Sequence, residues 1–240
     1  MYMDKKAIVI GASSGIGEAL AKILVKQGYR TCITGRRNSK LEEIRKTNPD
    51  SFLIKAFDCK EMNNAKYLIE MVEEMCGLDL LVLSSGTGDL NVGLNFNVEH
   101  QTNQLNVMAF TEITTWAMKY FEKQGKGHLV AITSIGGMRG SRVAPAYNAS
   151  KAYQINYLEG MRQKAKKTGK PIYVTDVRPG FVDTDMAKGE GQFWVTSKEK
   201  AAWQIYRLIR RKKDIGYVTK RWRLIAIILR LLPNVLYKRL

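Results

Sequence analysis

The sequence predicts an α/β protein: one doubly wound, mostly parallel seven-stranded sheet with helices on both faces, followed by a C-terminal amphipathic helix. Three observations carry this. Short apolar runs rich in β-branched residues and leucine recur along the chain without polar alternation, the mark of strands buried on both faces. Stretches with apolar residues at helical spacing separate them, and such alternation gives parallel strands joined by right-handed crossovers. A glycine-rich turn, GASSGIG, joins the first run to the first helical stretch.

In order, AIVI at 7–10 is the first strand, and 16–28 is a helix that turns Ile16, Leu20, Ile23 and Leu24 inward. TCIT at 31–34 and FLIKAF at 52–57 are the second and third strands. Helix 62–76 leads to LLVL at 80–83, helix 98–124 to HLVAI at 128–132, and helix 145–167 to IYVTDV at 172–177. Helix 197–213 precedes the last strand, near 216–219. No repeat or Pro/Ser-rich linker interrupts the pattern, so 1–219 reads as one nucleotide-binding catalytic domain and 220–240 as a basic amphipathic helix.

Composition narrows the function. With 240 residues, 45% hydrophobic and 25% charged, the chain can bury one core. Cys32, Cys59 and Cys76 are odd in number and lack metal-ligand spacing, and the opening residues lack a secretory pattern, so a cytoplasmic protein is expected. The formal charge is +17, but 13 Lys/Arg against Glu199 and Asp214 place +11 of it in the last 43 residues. A basic tail, with no basic motif interleaved by aromatics, argues against nucleic acid as the partner. Only His100 and His128 occur, and no metal site is expected.

The glycine turn permits close approach of backbone N–H groups to a pyrophosphate at a helix N-terminus, where the dipole favours anions. Tyr147 and Lys151 stand one helical turn apart in AYNASKAY, among small residues. An ammonium beside a phenol favours the phenolate, which would bring a group of pKa about 10 towards useful proton exchange. Ser134, in AITSIGG at the end of a strand, faces the crevice where ligands sit in open α/β sheets and can hydrogen-bond an oxygen that gains charge.

GASSGIG, FDC, LSSG, LNV, ITS, YNASK and RPGFVDT follow one another in an order that resembles the short-chain dehydrogenase/reductase family over residues 5–218. That resemblance implies a Rossmann-type domain in which Tyr147 exchanges the proton and Lys151 also holds the nicotinamide ribose. Alignment to the family prefers Ser134 over Thr133 or Ser141, and implies that Asn106 holds a water in a proton relay to the lysine. It implies that Gly11, Ser13, Ser14, Gly15, Ile16 and Gly17 cradle the pyrophosphate, and that Ser85 and Gly86 line the central turn. Asp58 and Cys59 would border the adenine, and Pro179, Gly180, Val182 and Thr184 the nicotinamide. Where NAD-selective members carry an acidic residue, this chain has Gly35, Arg36 and Arg37. Guanidinium forks suit a phosphate, so NADP(H) is the expected cofactor.

The expected activity is hydride transfer between NADPH and a carbonyl or secondary alcohol. The alternatives are an inactive NADPH-binding regulator, or a reductase of soluble metabolites that uses its tail for oligomer packing. The resemblance also implies a homo-oligomer through helices 98–124 and 145–167. In the tail, KRWRLIAIILRLLPNVLYKRL, the apolar run is too short to span a bilayer, being stopped by Arg230 and Pro233. Arg223 and Arg230 share a line, leaving Trp222, Leu224, Ile225, Ile228, Leu229 and Leu232 around most of the helix. Two partners fit. Trp222 and the leucines sink into an anionic membrane surface, which would favour lipophilic ketones, or the helix packs on the chain's own core or a second copy. Met186, Phe193 and Trp194 in the loop 186–197 add apolar surface near the expected substrate.

Overall fold

The computed structural model describes residues 5–185 and 191–239. The chain runs β1 (Lys5–Ile10), α1 (Gly15–Lys26), β2 (Tyr29–Gly35), α2 (Asn38–Arg45), β3 (Phe52–Ala56), α3 (Asn64–Met75), β4 (Leu80–Leu83), α4 (Phe96–Asn103), α5 (Phe110–Gln124), β5 (Gly127–Ile132) and α6 (Pro145–Lys167). It continues through β6 (Ile172–Pro179), β7 (Val182–Asp183), β8 (Thr196–Ser197), α7 (Lys198–Arg210), β9 (Ile215–Val218), α8 (Trp222–Leu231) and α9 (Asn234–Tyr237).

Seven strands form a parallel sheet in the order β3-β2-β1-β4-β5-β6-β9. The unbroken apolar runs follow from burial on both faces. Along β1, Ala7 and Val9 enter the core layer shared with Leu20, Leu24 and Ile205. Ile8 and Ile10 enter the opposite layer with Leu68, Met71, Ile113 and Leu158. The chain moves outward from β1 to β3 and then crosses back to β4 on the other side of β1. That reversal leaves a crevice at the strands' carboxyl ends. Register aligns its rim, because Ile10 pairs with both Thr34 and Leu83. The turns after β1, β2 and β4 therefore emerge at one level.

Three local features differ from the sequence pattern. Helix α2 begins directly after Arg37, and only Leu41 and Ile44 of its eight residues are buried, too few to show a period. The pairing of β7 with β8 makes a second sheet of two-residue strands, below the length at which alternation is visible. The expected helix 98–124 contains a π-helical segment, Gln104–Ala109, between α4 and α5, and Asn106 lies within it.

For Trp222 the tail takes one of the two expected partners, the chain's own core. Trp222 does not face outward: it is 1% exposed. Its ring meets Phe181 and Trp194 edge-on and Phe193 at a tilt, at centroid distances of 5.5, 5.7 and 5.0 Å. A Cβ at Gly180 would meet that ring at 2.0 Å, so glycine there makes room for the indole. Trp222 and Ala226 share a face one turn apart, and that face is what α8 buries. Farther on, Arg139 lies 4.3 Å from the Tyr237 ring centroid and donates to Asn234 at 2.8 Å, tying α9 to the loop after β5. No helix among the described residues is long and apolar enough to cross a membrane.

Candidate active site

The glycine turn is built for close approach. Gly11 and Gly15 adopt positive φ, +83° and +60°, and a Cβ on Gly17 would lie 2.2 Å from the Gly11 carbonyl oxygen. A Cβ on Gly11 would strike the backbone of Ser85 at 2.5 Å, so Ser85 and Gly86 abut the turn. Ser14 precedes α1 in extended conformation and makes no side-chain cap. The first turn of α1, with Ile16 and Gly17, thus lacks a capping side chain and can offer its N–H groups to an anion. The Ser13 and Ser14 hydroxyls instead accept from Arg37 at 3.1 and 2.9 Å. The Thr184 methyl closes over Gly15, 3.2 Å from the position of a Cβ there.

Arg36 stands at the other end of the rim, 3.8 Å from the Asp58 carboxylate and largely solvent-exposed. Asp58 also accepts from the Lys60 N–H at 3.0 Å. Cys59 turns its side chain into the core layer with Phe57, Leu68 and Phe110. Burial pushes its thiol up to about 12, so only its backbone can border the crevice. Pro179 ends β6, and Val182 is 5% exposed inside the core. Gly180 serves the Trp222 packing, a demand invisible in the motif.

At the floor, Ser134 opens a 3₁₀ turn, its hydroxyl accepting from the Gly136 N–H at 3.0 Å. Asn148 pins that turn by donating to the carbonyls of Gly136 and Arg139 at 2.7 and 3.0 Å. Thr133 is excluded as the working hydroxyl, because it donates to Asp176 at 2.6 Å beneath the sheet end. Tyr147 keeps a partly exposed edge, and its ring stands beside Ser134: a Cβ on Gly136 would lie 3.3 Å from the Ser134 hydroxyl and 3.4 Å from the tyrosine ring. Gly88 lies against the tyrosine ring, where a Cβ would come within 2.5 Å.

The acid–cation pair behaves differently from the sequence expectation. Lys151 sits 5.8 Å from the Tyr147 ring centroid, but its amino group donates to the Ile132 carbonyl at 3.2 Å and to Gln154 Oε1 at 3.1 Å. Burial pushes the Tyr147 phenol above 10, and the neighbouring Ser134 hydroxyl only partly offsets this. Lys151 itself is pushed down to about 8 by burial, with Asp176 pulling the other way. Desolvation therefore outweighs the pairing: the phenol stays protonated at neutral pH.

The Asp176–Arg178 pair and the role of Gln154 escaped sequence reasoning. Asp176 and Arg178, both buried near the end of β6, form an ion pair at 2.6 Å, and Arg178 also donates to the Tyr217 hydroxyl at 3.2 Å. Opposite charges two apart within an apolar strand were the available signal. Asn106 is fully buried; its amide donates to the Thr87 carbonyl at 2.7 Å and to Ser150 at 3.0 Å, while its Oδ1 accepts from the Thr87 N–H at 3.0 Å. Its own carbonyl accepts from Gln154 Nε2 at 2.8 Å. Gln154 thus bridges Asn106 and Lys151 directly, a link that the resemblance assigns to water.

A parallel sheet with a glycine-turn crevice over a Ser-Tyr-Lys floor defines the class of dinucleotide-dependent α/β oxidoreductases. The family model for short chain dehydrogenases matches residues 5–193, and the chain belongs to the short-chain dehydrogenase/reductase family. An uncharacterized oxidoreductase of Staphylococcus epidermidis is 30% identical over 189 residues, covering 78% of this chain and 81% of that protein. One from Staphylococcus saprophyticus is 31% identical over 191 residues, covering 77% and 81%. An actinorhodin polyketide ketoreductase variant solved with NADPH aligns with TM-score 0.79 and 23% identity, over 90% of this chain and 97% of its own. A short-chain type dehydrogenase/reductase from Mycobacterium ulcerans aligns with TM-score 0.80 and 19% identity, over 90% and 88%. These structural likenesses bear on the fold.

The residues present fit a nicotinamide dinucleotide. The cradle at Gly11, Gly15 and Gly17 excludes side chains, α1 begins without a capping side chain, and Gly86 leaves space beside Asn106 and Lys151, whose polar atoms lie 3.4 and 3.5 Å from where a Cβ would stand.

Proposed function

We propose that this oxidoreductase is an NADPH-dependent carbonyl reductase acting on lipophilic ketones. The observation that carries the cofactor choice is Arg37, whose guanidinium bridges the Ser13 and Ser14 hydroxyls at the mouth of the glycine turn. Arg36 stands exposed beside it, and no acidic side chain ends β2. A cationic fork with two hydroxyls suits a ribose phosphate and would repel no anion.

When bound, the nicotinamide supplies the hydride. Tyr147, a phenol held protonated by burial, hands its proton to the carbonyl oxygen as charge develops there. The Ser134 hydroxyl shares that oxygen and fixes its position. Lys151, cationic below about pH 8, stabilises the phenolate left behind. Gln154 and the Ile132 carbonyl hold its amino group in place. The Phe193 and Trp194 rings, exposed at 47% and 39% beside Trp222, give the substrate side an apolar wall. The reading includes a homo-oligomer through α4–α5 and α6, whose surface exposes Met108 and Tyr153.

Following NADPH consumption over ketones of graded chain length tests the reading. Tyr147→Phe abolishes turnover while NADPH still binds. Arg37→Ala raises the KM for NADPH at least about tenfold and leaves that for NADH nearly unchanged, the loss of a charge-assisted contact. Full turnover in Tyr147→Phe, or equal use of NADH by the parent protein, sinks it.

A further inference from the structure

Helix α8 carries two apolar stripes, and the fold uses one. At about 100° per residue, Trp222, Ile225, Ala226 and Leu229 cluster on one side of the helix. Trp222 and Ala226 there are buried, and Ile225 and Leu229 are partly so. Leu224, Ile227, Ile228 and Leu231 fall on the opposite side and are 59%, 43%, 49% and 76% exposed. Val235 and Leu236 of α9 extend this surface at 69% and 51% exposure. The inner stripe explains how the helix is held. It does not explain why the outer one is apolar.

Charge identifies the occupant. From 215 to 239 the chain has Lys220, Arg221, Arg223, Arg230, Lys238 and Arg239 and no acidic residue. Arg221 is engaged with Trp194, donating to its carbonyl at 3.2 Å and lying 4.9 Å from its ring centroid. Arg223 and Arg230 flank the outer stripe one heptad apart, and both are exposed. A core partner would need a dry apolar face and gains nothing from such a border. An anionic lipid surface takes both features: hydrocarbon for the stripe and headgroups for the rim.

We propose that the outer face of α8 and α9 docks the protein peripherally on an anionic membrane. The segment that docks is the one packed against the loop after Ser134, through Arg139 and Tyr237, so docking sets the substrate side towards the lipid. The proposal does not depend on the cofactor or the reaction.

Truncating the tail would remove the buried Trp222 and confuse docking with folding, so point variants of the full chain are used. Co-sedimentation is measured with vesicles of phosphatidylcholine alone and of phosphatidylcholine mixed with phosphatidylglycerol, at low and high sodium chloride. Thermal melts confirm that each variant is folded. The parent protein binds the mixed vesicles, less in high salt but measurably, and binds neutral vesicles much more weakly. Arg223→Gln and Arg230→Gln each weaken binding about fivefold at low salt. Ile228→Glu with Leu231→Glu, both at exposed positions, loses at least about tenfold while melting like the parent. Failure of the parent to bind mixed vesicles overturns the proposal, as does equal binding to neutral ones. A double variant that changes oligomeric mass, with neither protein binding vesicles, assigns the face to a second copy and overturns it too.

Discussion

Replacing Trp222 with alanine tests how the tail is anchored. The indole is 1% exposed and meets three aromatic rings at 5.0–5.7 Å. Removing a buried tryptophan costs about 3–5 kcal/mol in lost transfer and residual cavity. Against this, its indole N–H is buried and has no hydrogen-bond partner among the described residues, and deleting such a group returns about 1 kcal/mol. The expected net loss is about 3 kcal/mol, read as a lowered urea midpoint at unchanged slope. Gly180 supplies the coupling. A methyl there meets the indole at 2.0 Å, so Gly180→Ala alone costs about 1–3 kcal/mol by overpacking. In the Trp222→Ala background the same change fills the vacated space and becomes nearly neutral, a coupling of at least about 1 kcal/mol in a double-mutant cycle. Leu231→Ala, 76% exposed, serves as the control and stays within about 0.5 kcal/mol. A Trp222→Ala loss below about 1 kcal/mol, or additive effects at 180 and 222, refutes the anchoring.

Further outcomes concern the floor of the site. Carbonyl reduction falls as pH rises through about 8, where Lys151 loses its charge. Gln154→Leu removes a neutral acceptor from the amino group and moves that limb to lower pH; Gln154→Glu places a carboxylate there and moves it up, as pH–rate profiles check. Because the folded-state value of Lys151 lies below the ordinary 10.5, the unfolded chain binds more protons between about 8 and 10.5. This group therefore makes stability rise with pH in that window, and Lys151→Met removes the slope in urea titrations. Gly88→Ala puts a methyl 2.5 Å from the Tyr147 ring and lowers kcat severalfold or more, with a smaller effect on the melting temperature.

Much of the architecture was legible because its causes are local and periodic. Runs such as AIVI and LLVL are apolar at every position because both faces of each strand are covered, and GASSGIG needs glycines whatever surrounds it. Tyr147 and Lys151 were nameable because helical spacing brings them together, and Ser134 was preferred over Thr133 and Ser141 only through the family resemblance. What those groups do to one another was not legible. The pair Tyr147–Lys151 reads as mutual stabilisation of charge, yet enclosure by neighbours distant in sequence desolvates both and reverses the expected direction for the phenol. Gln154 looked like any helical glutamine until the fold laid α6 against the Asn106 carbonyl. Trp222 suited a membrane or a core equally by composition; only the approach of Gly180, 42 residues earlier, gave it a pocket. Sequence by itself determined the elements and the chemical inventory, since propensity and period act over a few residues. Tertiary structure decided protonation, hydrogen-bond partners and which apolar face is left for a second surface, because each depends on contacts across the whole chain.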